Sequence, residues 1–206
     1  HTLVGTDASG LELRCLAHLM DDKNYINEVV HGDIHTANMK MAGLTDRDQA
    51  KTFIYAFCYG AGAVKLGKIV GGNKEHGQAL IDRFLSKLTA LARIRGNVQK
   101  AAERGRIKGI DGRILYVRSP HAALNTLIQG GGASICKDWL VNMITRINNT
   151  GVDAKLVASV HDEYQFEVAK GALKDFYDSI RGNKPKFPVD LGEDDELNVN
   201  VDNAND

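Results

Sequence analysis

The segment from Arg47 to Gly60, RDQAKTFIYAFCYG, constrains the fold most strongly because it carries two different faces at helical spacing. Apolar residues recur at i, i+3, i+4 and i+7, the spacing of a helix face that is buried against a core. They are Ala50, Phe53, Ile54 and Phe57. Arg47, Lys51 and Tyr55 recur at i, i+4 and i+8 on another face, and Gly60 stands where such a helix would end. That second face suits a polyphosphate and a flat ring, although an ordinary amphipathic helix with scattered surface charge explains the same window.

Length and composition bound the class of protein. The 206 residues, 43% of them hydrophobic, suffice to bury a core and indicate one domain or two small lobes. Cys15, Cys58 and Cys136 are odd in number and widely spaced, which predicts a reducing interior rather than disulfides or a metal site. The absence of a membrane-length apolar run and of a signal-peptide pattern leads us to expect a cytoplasmic location. Because the chain opens on a strand-like His-Thr-Leu-Val, we interpret it as the inside of a larger protein.

Charge is distributed unevenly although the formal net charge is zero. No Lys or Arg follows Lys186, whereas seven acidic residues do. Without those seven, the chain keeps 26 basic and 19 acidic side chains, a balance of +7. The main body is therefore basic enough for local patches to bind nucleic acid, and residues 186–206 form an acidic tail with little apolar pattern.

Periodicity and turn signals predict an α+β fold. A strand over residues 2–6 precedes a series of helices, a hairpin over 107–117, a long helix over 120–147 and two strands over 156–160 and 164–168. We expect a sheet that is assembled from both ends of the chain. Thr45 is the expected N-cap of the central helix, and the helix-prone stretch 73–105 is expected to break near Gly96. Asp111-Gly112 predicts a two-residue turn, and Gly130-Gly131-Gly132 lowers the helix propensity of the long helix.

Acidic residues stand at the ends of strands that are far apart in sequence. Asp7 ends the first strand, and Asp162 and Glu163 lie in the turn between the last two. If these strands are neighbours, the carboxylates converge and repel, and a divalent metal such as Mg²⁺ relieves that repulsion. Two such ions about 3.5–4 Å apart would clamp both oxygens of a phosphoryl transfer. The alternative is that these are ordinary turn acids.

If those metals hold a nucleoside triphosphate, that triphosphate is the expected ligand of the cationic face of the central helix. Arg47 offers a planar fork to phosphate oxygens and Lys51 a point charge or a proton. Tyr55 can stack on a base. His35 lies in a polar stretch before this helix and is a candidate phosphate donor, or else a surface or capping residue.

Three motifs resemble, in the same order, the polymerase motifs of family A DNA polymerases, and most of all those of the replicative polymerases of short-tailed phages. They are DASGLELR at residues 7–14, RDQAKTFIYAFCYG at 47–60 and VHDE at 160–163. GDIHT at 32–36 and RSPHAALNTLIQ at 118–129 add to the match, so the resemblance covers roughly residues 2–170.

The resemblance implies a role for each matching residue. Asp7, Asp162 and the backbone carbonyl of Ala8 match the ligands of two Mg²⁺ ions, with Glu163 secondary. The triphosphate-binding positions are Arg47, Lys51 and His35, and Lys51 is also the acid for the departing pyrophosphate. Tyr55 matches the ring against the incoming sugar and base, Tyr59 stacks near the template, and Glu12 closes the sugar pocket against a 2′-hydroxyl. Contacts to primer, template or the nascent pair fall to Arg113, Asn125, Gln129 and His161.

The resemblance also implies a partial right-hand architecture. We expect palm at residues 1–20, helical fingers at 21–117 with the nucleotide-binding helix at about 46–58, palm again at 118–185, and the acidic tail at 186–206. No thumb or exonuclease domain is recognisable, so we expect a missing N-terminal thumb and exonuclease part to complete the grip on primer-template DNA.

The sequence therefore leaves three candidate functions. The first is template-directed DNA synthesis from dNTPs, the second a relative of single-subunit RNA polymerases, and the third a nucleotide- or DNA-binding remnant without catalysis. Glu12 and the Tyr55–Tyr59 spacing favour DNA synthesis over RNA synthesis.

Overall fold

Helices and strands alternate in an α+β order, as predicted. The computed structural model describes residues 1–181 and 198–202. The strands are β1 (Thr2–Asp7), β2 (Arg106–Lys108), β3 (Ile114–Tyr116), β4 (Ala154–Val160), β5 (Glu163–Val168) and β6 (Asn198–Asp202). The helices are α1 (Leu11–Met20), α2 (Lys23–His31), α3 (Ile34–Ala42), α4 (Arg47–Cys58), α5 (Ala63–Ile69), α6 (Lys74–Lys87), α7 (Thr89–Ala102), α8 (Ala123–Thr150) and α9 (Leu173–Ile180). Short 3₁₀ turns at Pro120–Ala122 and Lys170–Ala172 lead into α8 and α9.

A four-stranded antiparallel sheet in the order β4–β5–β1–β6 joins the two ends of the chain. The expectation of a sheet built from both ends is confirmed. Strand β6 was not predicted, because the acidic composition of the tail concealed a short alternation of valine with polar residues, NVNVD. The other residues predicted as tail, 186–197 and 203–206, lie outside the described part of the chain.

Aromatic rings pack the sheet against two helices. Phe166 of β5 contacts Phe176 of α9 with ring centroids 5.2 Å apart, and Tyr164 contacts Trp139 of α8 at 5.4 Å. All four side chains are buried. Because each buried aromatic removes on the order of 150–250 Å² from water, these contacts hold β5 firmly, together with the turn that precedes it.

Helix α4 buries the apolar face that its spacing predicts. Its four apolar residues are between 0% and 4% exposed. Phe84 of α6 meets Phe53 and Phe57 edge-on, with ring centroids 5.2 and 5.7 Å apart. Edge-to-face packing is a favoured arrangement of aromatic rings, so α4 is locked against α6 and its polar face is left outward.

Two local predictions about helix ends were wrong. The N-cap of α4 is Asp46 rather than Thr45, and its carboxylate accepts a hydrogen bond from the backbone N–H of Gln49 at 2.6 Å. A carboxylate there also favours the positive end of the helix dipole. The stretch 73–105 breaks at Leu88 instead of near Gly96. Leu88 has a φ of −110° and a ψ of 72°, outside helical geometry, and its side chain is buried at 4% exposure.

The three consecutive glycines do not interrupt α8. A side chain on Gly130 would lie 2.6 Å from Leu115, and one on Gly132 would lie 3.2 Å from Leu11. These glycines therefore permit close packing inside a continuous helix, and tertiary contact outweighs their low helix propensity. The β2–β3 hairpin is present as predicted, but its loop comprises residues 109–113, of which Asp111-Gly112 form only a part.

The chain divides into two compact units, and the division falls within α1 and α8. The first unit comprises residues 1–15 and the described residues from Gly131 onward, and the second comprises Leu16–Gly130. The palm and fingers boundaries expected from the sequence, after residues 20 and 117, stay a prediction. No helix within residues 1–181 and 198–202 is long and apolar enough to span a membrane.

Gly77→Ala is expected to destabilise the second unit by about 3 kcal/mol, because a side chain there overpacks the α5–α6 contact. Its Cβ would lie 1.9 Å from the carbonyl oxygen of Ala63 and 2.6 Å from the amide nitrogen of Gly67, so backbone must move. Thermal and denaturant unfolding measure the loss. Gly96→Ala is the matched control, since among the described residues no atom outside the adjacent helix backbone lies within 4 Å of that Cβ. Alanine there should raise the free energy of unfolding by about 0.5–1 kcal/mol. Equal effects of the two substitutions would contradict the packing argument.

Candidate active site

Two carboxylates that are 155 positions apart in sequence meet at one end of the sheet. Strand β1 pairs with β5 so that Asp7 lies opposite Glu163. The backbone N–H of Ala8 donates to the carbonyl of Asp162 at 3.2 Å. The structure therefore brings together the four residues that were expected to form the metal site: Asp7, Ala8, Asp162 and Glu163.

The carboxylates repel one another at this position. Burial, and then the negative charges of Asp162 and Glu163, raise the pKa of the Asp7 carboxyl above its ordinary value. Glu12, half-buried in the first turn of α1, adds a smaller effect on that pKa in the same direction. The fold therefore disfavours the ionised form of Asp7, and a bound cation would stabilise that form.

The donor set fits a hard cation that retains water. Among the described residues no group of three or more His, Cys, Asp or Glu side chains is arranged to hold a metal ion. The candidate donors at this end of the sheet are the two aspartates and the carbonyl of Ala8, which accepts a 3.3 Å hydrogen bond from the backbone N–H of Leu11, with Glu163 beside them. Mg²⁺ is commonly bound by one or two carboxylates and completes its shell with water and substrate phosphates, so these residues fit it.

A strained residue shapes the turn that carries Asp162. His161 has a φ of 56°, in the left-handed region that few residues other than glycine adopt. The side chain is exposed. Such conformations persist where surrounding structure enforces them, and here the aromatic packing of β5 supplies that constraint. The expected contact of His161 with DNA stays a prediction.

Two buried thiols, those of Cys136 and Cys15, lie near acidic residues of this site. Burial and then the charge of Asp162 raise the pKa of the Cys136 thiol to about 11. Cys15 is likewise buried, and burial raises the pKa of its thiol to about 12. Both thiols are protonated at neutral pH, so they add no charge beside the acids. The sequence carried no signal that Cys136 lies near Asp162, because the two residues are 26 positions apart along the chain.

The polar face of α4 belongs to the second unit. Arg47, Lys51 and Tyr59 are exposed and Tyr55 is half-buried, so the two faces predicted from spacing are present. Tyr55 lies between two other rings, with its centroid 6.1 Å from that of His35 and 6.4 Å from that of Tyr59. Two cations and a row of three rings are therefore presented along one side of this unit.

His35 is held uncharged by its surroundings. Burial first, and then the positive charges of Arg47 and Lys51, lower the pKa of the imidazole below its ordinary value. Its Nδ1 atom is buried and makes no hydrogen bond within the described residues. His35 can thus supply a neutral hydrogen-bonding group beside the two cations of α4, but little charge.

Asp33 also lies on this surface, beside Arg47, and was not among the site residues predicted from the sequence. Its carboxylate caps α3 and is bonded to the guanidinium of Arg47. The capping role is visible in the sequence as an aspartate before Ile-His-Thr, whereas the pairing with Arg47 joins two helices and has no local signal.

The other residues expected to contact DNA are distributed over both units. Arg113 lies in the β2–β3 loop and is paired with Asp111. Asn125 and Gln129 are four residues apart on α8 and therefore share a face. Gln129 is exposed, whereas the Oδ1 atom of Asn125 is buried and makes no hydrogen bond within the described residues. All three belong to the second unit, and His161 belongs to the first.

Comparisons with known proteins give one consistent result. Residues 1–191 match the model of the family described as DNA polymerase family A. The chain is 43% identical to the DNA-directed DNA polymerases of Enterobacteria phage T3 and Escherichia phage T7, in each case over 86% of this chain and 29% of the relative. DNA polymerase I of Pseudomonas aeruginosa is 29% identical over 88% of this chain and 22% of that protein. The chain thus spans less than a third of the length of these relatives.

A solved structure shows the same fold. The POL domain of Pol1 from M. smegmatis, in complex with DNA primer-template and dNTP, is similar over 98% of this chain and 39% of that chain, with a TM-score of 0.84 and 24% identity. The predicted polymerase fold, an antiparallel palm sheet with mostly helical fingers, is confirmed by this likeness.

Proposed function

Because the chain belongs to DNA polymerase family A, we propose that it carries the nucleotidyl-transfer site of a DNA-directed DNA polymerase. In this reaction the 3′-hydroxyl of a primer loses its proton to solvent and its oxygen forms a bond to the α-phosphorus of a dNTP. The bond from that phosphorus to the bridging oxygen breaks, and pyrophosphate leaves. The observation that carries the proposal is the meeting of Asp7 and Asp162 at the ends of β1 and β5, in a fold shared with a polymerase domain. The proposed partners are primer-template DNA and dNTPs.

In this proposal Asp7, Asp162 and the Ala8 carbonyl would hold two Mg²⁺ ions, with Glu163 beside them. When bound, such ions stabilise the charge that develops on the attacking and leaving oxygens. The closeness of these carboxylates despite their mutual repulsion supports a site whose donors are arranged before the ions bind.

The side chains of α4 would act on the nucleotide. Arg47 and Lys51 bind triphosphate oxygens, and His35 donates a neutral hydrogen bond to them. Lys51 gives a proton to the leaving pyrophosphate, as a general acid. Tyr55 packs against the sugar and base, and Tyr59 against the template. Phosphate and sugar contacts leave base choice to pairing geometry, as a template-directed enzyme requires.

Arg113, Asn125, Gln129 and His161 would contact the primer, the template or the nascent pair. A guanidinium, two carboxamides and an imidazole can donate to phosphate and sugar oxygens or to acceptors in the minor groove.

The proposal is tested by extension of an end-labelled primer with Mg²⁺ and four dNTPs. The purified chain is assayed together with the phage T3 polymerase in which this chain replaces the matching segment. We expect Mg²⁺-dependent addition of dNTPs, with rNTPs used poorly. Preferential use of rNTPs would instead favour an RNA polymerase, and failure of both proteins to extend the primer would favour a non-catalytic binding function.

Glu12→Ala is expected to admit ribonucleotides, because the half-buried acid would otherwise occupy the space of the 2′-hydroxyl. The ratio of dNTP to rNTP incorporation should fall about tenfold or more. A tenfold change corresponds to about 1.4 kcal/mol in the difference between the two activation free energies. The matched control is Glu75→Ala, which also removes an acid from the first turn of a helix, α6. An unchanged ratio in Glu12→Ala would contradict the assignment of Glu12 to sugar selection.

A further inference from the structure

The carboxylate of Asp33 makes two sets of contacts at once. As the N-cap of α3 it accepts hydrogen bonds from the backbone N–H groups of His35 at 3.1 Å and Thr36 at 3.3 Å. It also accepts a 2.7 Å bond from the Thr36 hydroxyl. On its other side it faces the first residue of α4, Arg47. The caps fix the position of the carboxylate, so it is an immobile partner for a long and flexible side chain.

Arg47 uses one edge of its guanidinium in this contact. Its Nε donates to one carboxylate oxygen of Asp33 at 2.8 Å and its Nη2 donates to the other at 2.9 Å. A guanidinium carries five N–H donors in a planar fork. The pair uses two of them, and the three that remain lie on Nη1 and the far side of Nη2, a second edge suited to phosphate oxygens.

Stability does not account for this contact. The two side chains are 49% and 45% exposed, and exposed ion pairs contribute little to folding free energy. The bidentate geometry instead fixes the direction in which the guanidinium points. The hydrogen bonds from Arg47 and then from Thr36 lower the pKa of Asp33 well below its ordinary range, so the carboxylate stays ionised around neutral pH.

We propose that Asp33 is a positioning residue, which holds one edge of the Arg47 guanidinium and aims the other edge at the nucleotide triphosphate. The inference rests on the proposed function, in which Arg47 binds that triphosphate. An aimed arginine does not lose its rotamer freedom when the nucleotide binds, so affinity is higher than with a mobile one. The opposing effect, repulsion between Asp33 and the triphosphate, is weakened by solvent screening at this exposure.

The test measures the affinity of the full chain for dGTP with Mg²⁺ by isothermal titration calorimetry. Asp33→Asn keeps a side chain that caps helices equally well but removes the charge that holds the arginine fork. We expect dGTP to bind about fivefold to twentyfold more weakly, with an unchanged melting temperature. Unchanged or tighter binding of dGTP would overturn the inference.

Asp22→Asn is the matched control. Asp22 caps α2 with the same pair of bonds, which it accepts from the amides of Asn24 at 3.0 Å and Tyr25 at 3.1 Å. The carboxylate that Arg47 is hydrogen-bonded to among the described residues is that of Asp33. We expect Asp22→Asn to leave dGTP affinity unchanged. A loss equal to that of Asp33→Asn would assign the effect to helix capping and overturn the inference.

A double-mutant cycle separates the inference from the function on which it rests. If Asp33 acts through Arg47, Asp33→Asn should cause no further loss of dGTP affinity in an Arg47→Ala background. A full additional loss would overturn the inference alone. Wild-type affinity in Arg47→Ala, or no binding of dGTP by the unsubstituted chain, would contradict the proposed function and the inference together.

Discussion

Asp7→Asn and Asp162→Asn are each expected to lower the rate of primer extension by at least roughly a thousandfold, while the fold remains intact. Each substitution removes one of the two aspartates that are proposed to bind Mg²⁺, and metal ions contribute several kcal/mol of transition-state stabilisation. Asp7→Asn should also raise the melting temperature at pH 7, because it removes a negative charge that burial, and then repulsion by Asp162 and Glu163, disfavour in the folded state. Extension assays on the phage T3 chimera and thermal unfolding of the chain measure the two effects.

Metal binding can be measured without turnover. Titration of Mn²⁺ followed by electron paramagnetic resonance should show weaker metal binding in both variants, with Asp178→Asn, an exposed acid on α9 of the same unit, as the control. Near-normal extension in either variant would overturn the metal assignment. A lower melting temperature in Asp7→Asn would contradict the account of carboxylate repulsion.

Lys51→Ala is expected to lower the rate of extension by about 10²–10⁴, the usual contribution of a general acid. Lys51→Arg is the informative companion, because arginine keeps the positive charge but does not release its proton near neutral pH. We expect this variant to bind dGTP almost normally and to remain slow in single-turnover extension.

Lys68→Ala, which removes an exposed lysine from α5 of the same unit, should leave the rate unchanged. Full recovery of the rate in Lys51→Arg would mean that Lys51 acts through its charge, and the assignment of a proton-transfer role would fail. Because Lys51 lies on the exposed face of α4, neither substitution should disturb the packing of Phe53 and Phe57.

Resemblance and periodicity together predicted most of the architecture. The three motifs identified the family, which the match over residues 1–191 confirms. Helical spacing predicted both faces of α4, and the buried and exposed residues are those expected. Where the expectations failed, packing had outweighed local propensity: a buried Leu88 ends α6, and glycines in α8 allow leucines to approach closely.

The candidate site shows the same division between local and long-range information. The convergence of Asp7 and Asp162 was expected only if the first and last strands were neighbours, and the β1–β5 register satisfies that condition. The pairing of Asp33 with Arg47 was not expected at all. Nothing within a few residues of either side chain indicates it, since the two lie on different helices.

The amino-acid sequence by itself determined which residues could face outward together, because helix and strand periods depend only on neighbours along the chain. It thereby determined the cation and tyrosine face of α4 and the acids at the strand ends. Only the tertiary structure decided which side chains meet across elements: Asp7 with the turn at Asp162, and Asp33 with Arg47. Those meetings depend on how buried surfaces pack, and packing is a property of the whole chain that no short window of sequence contains.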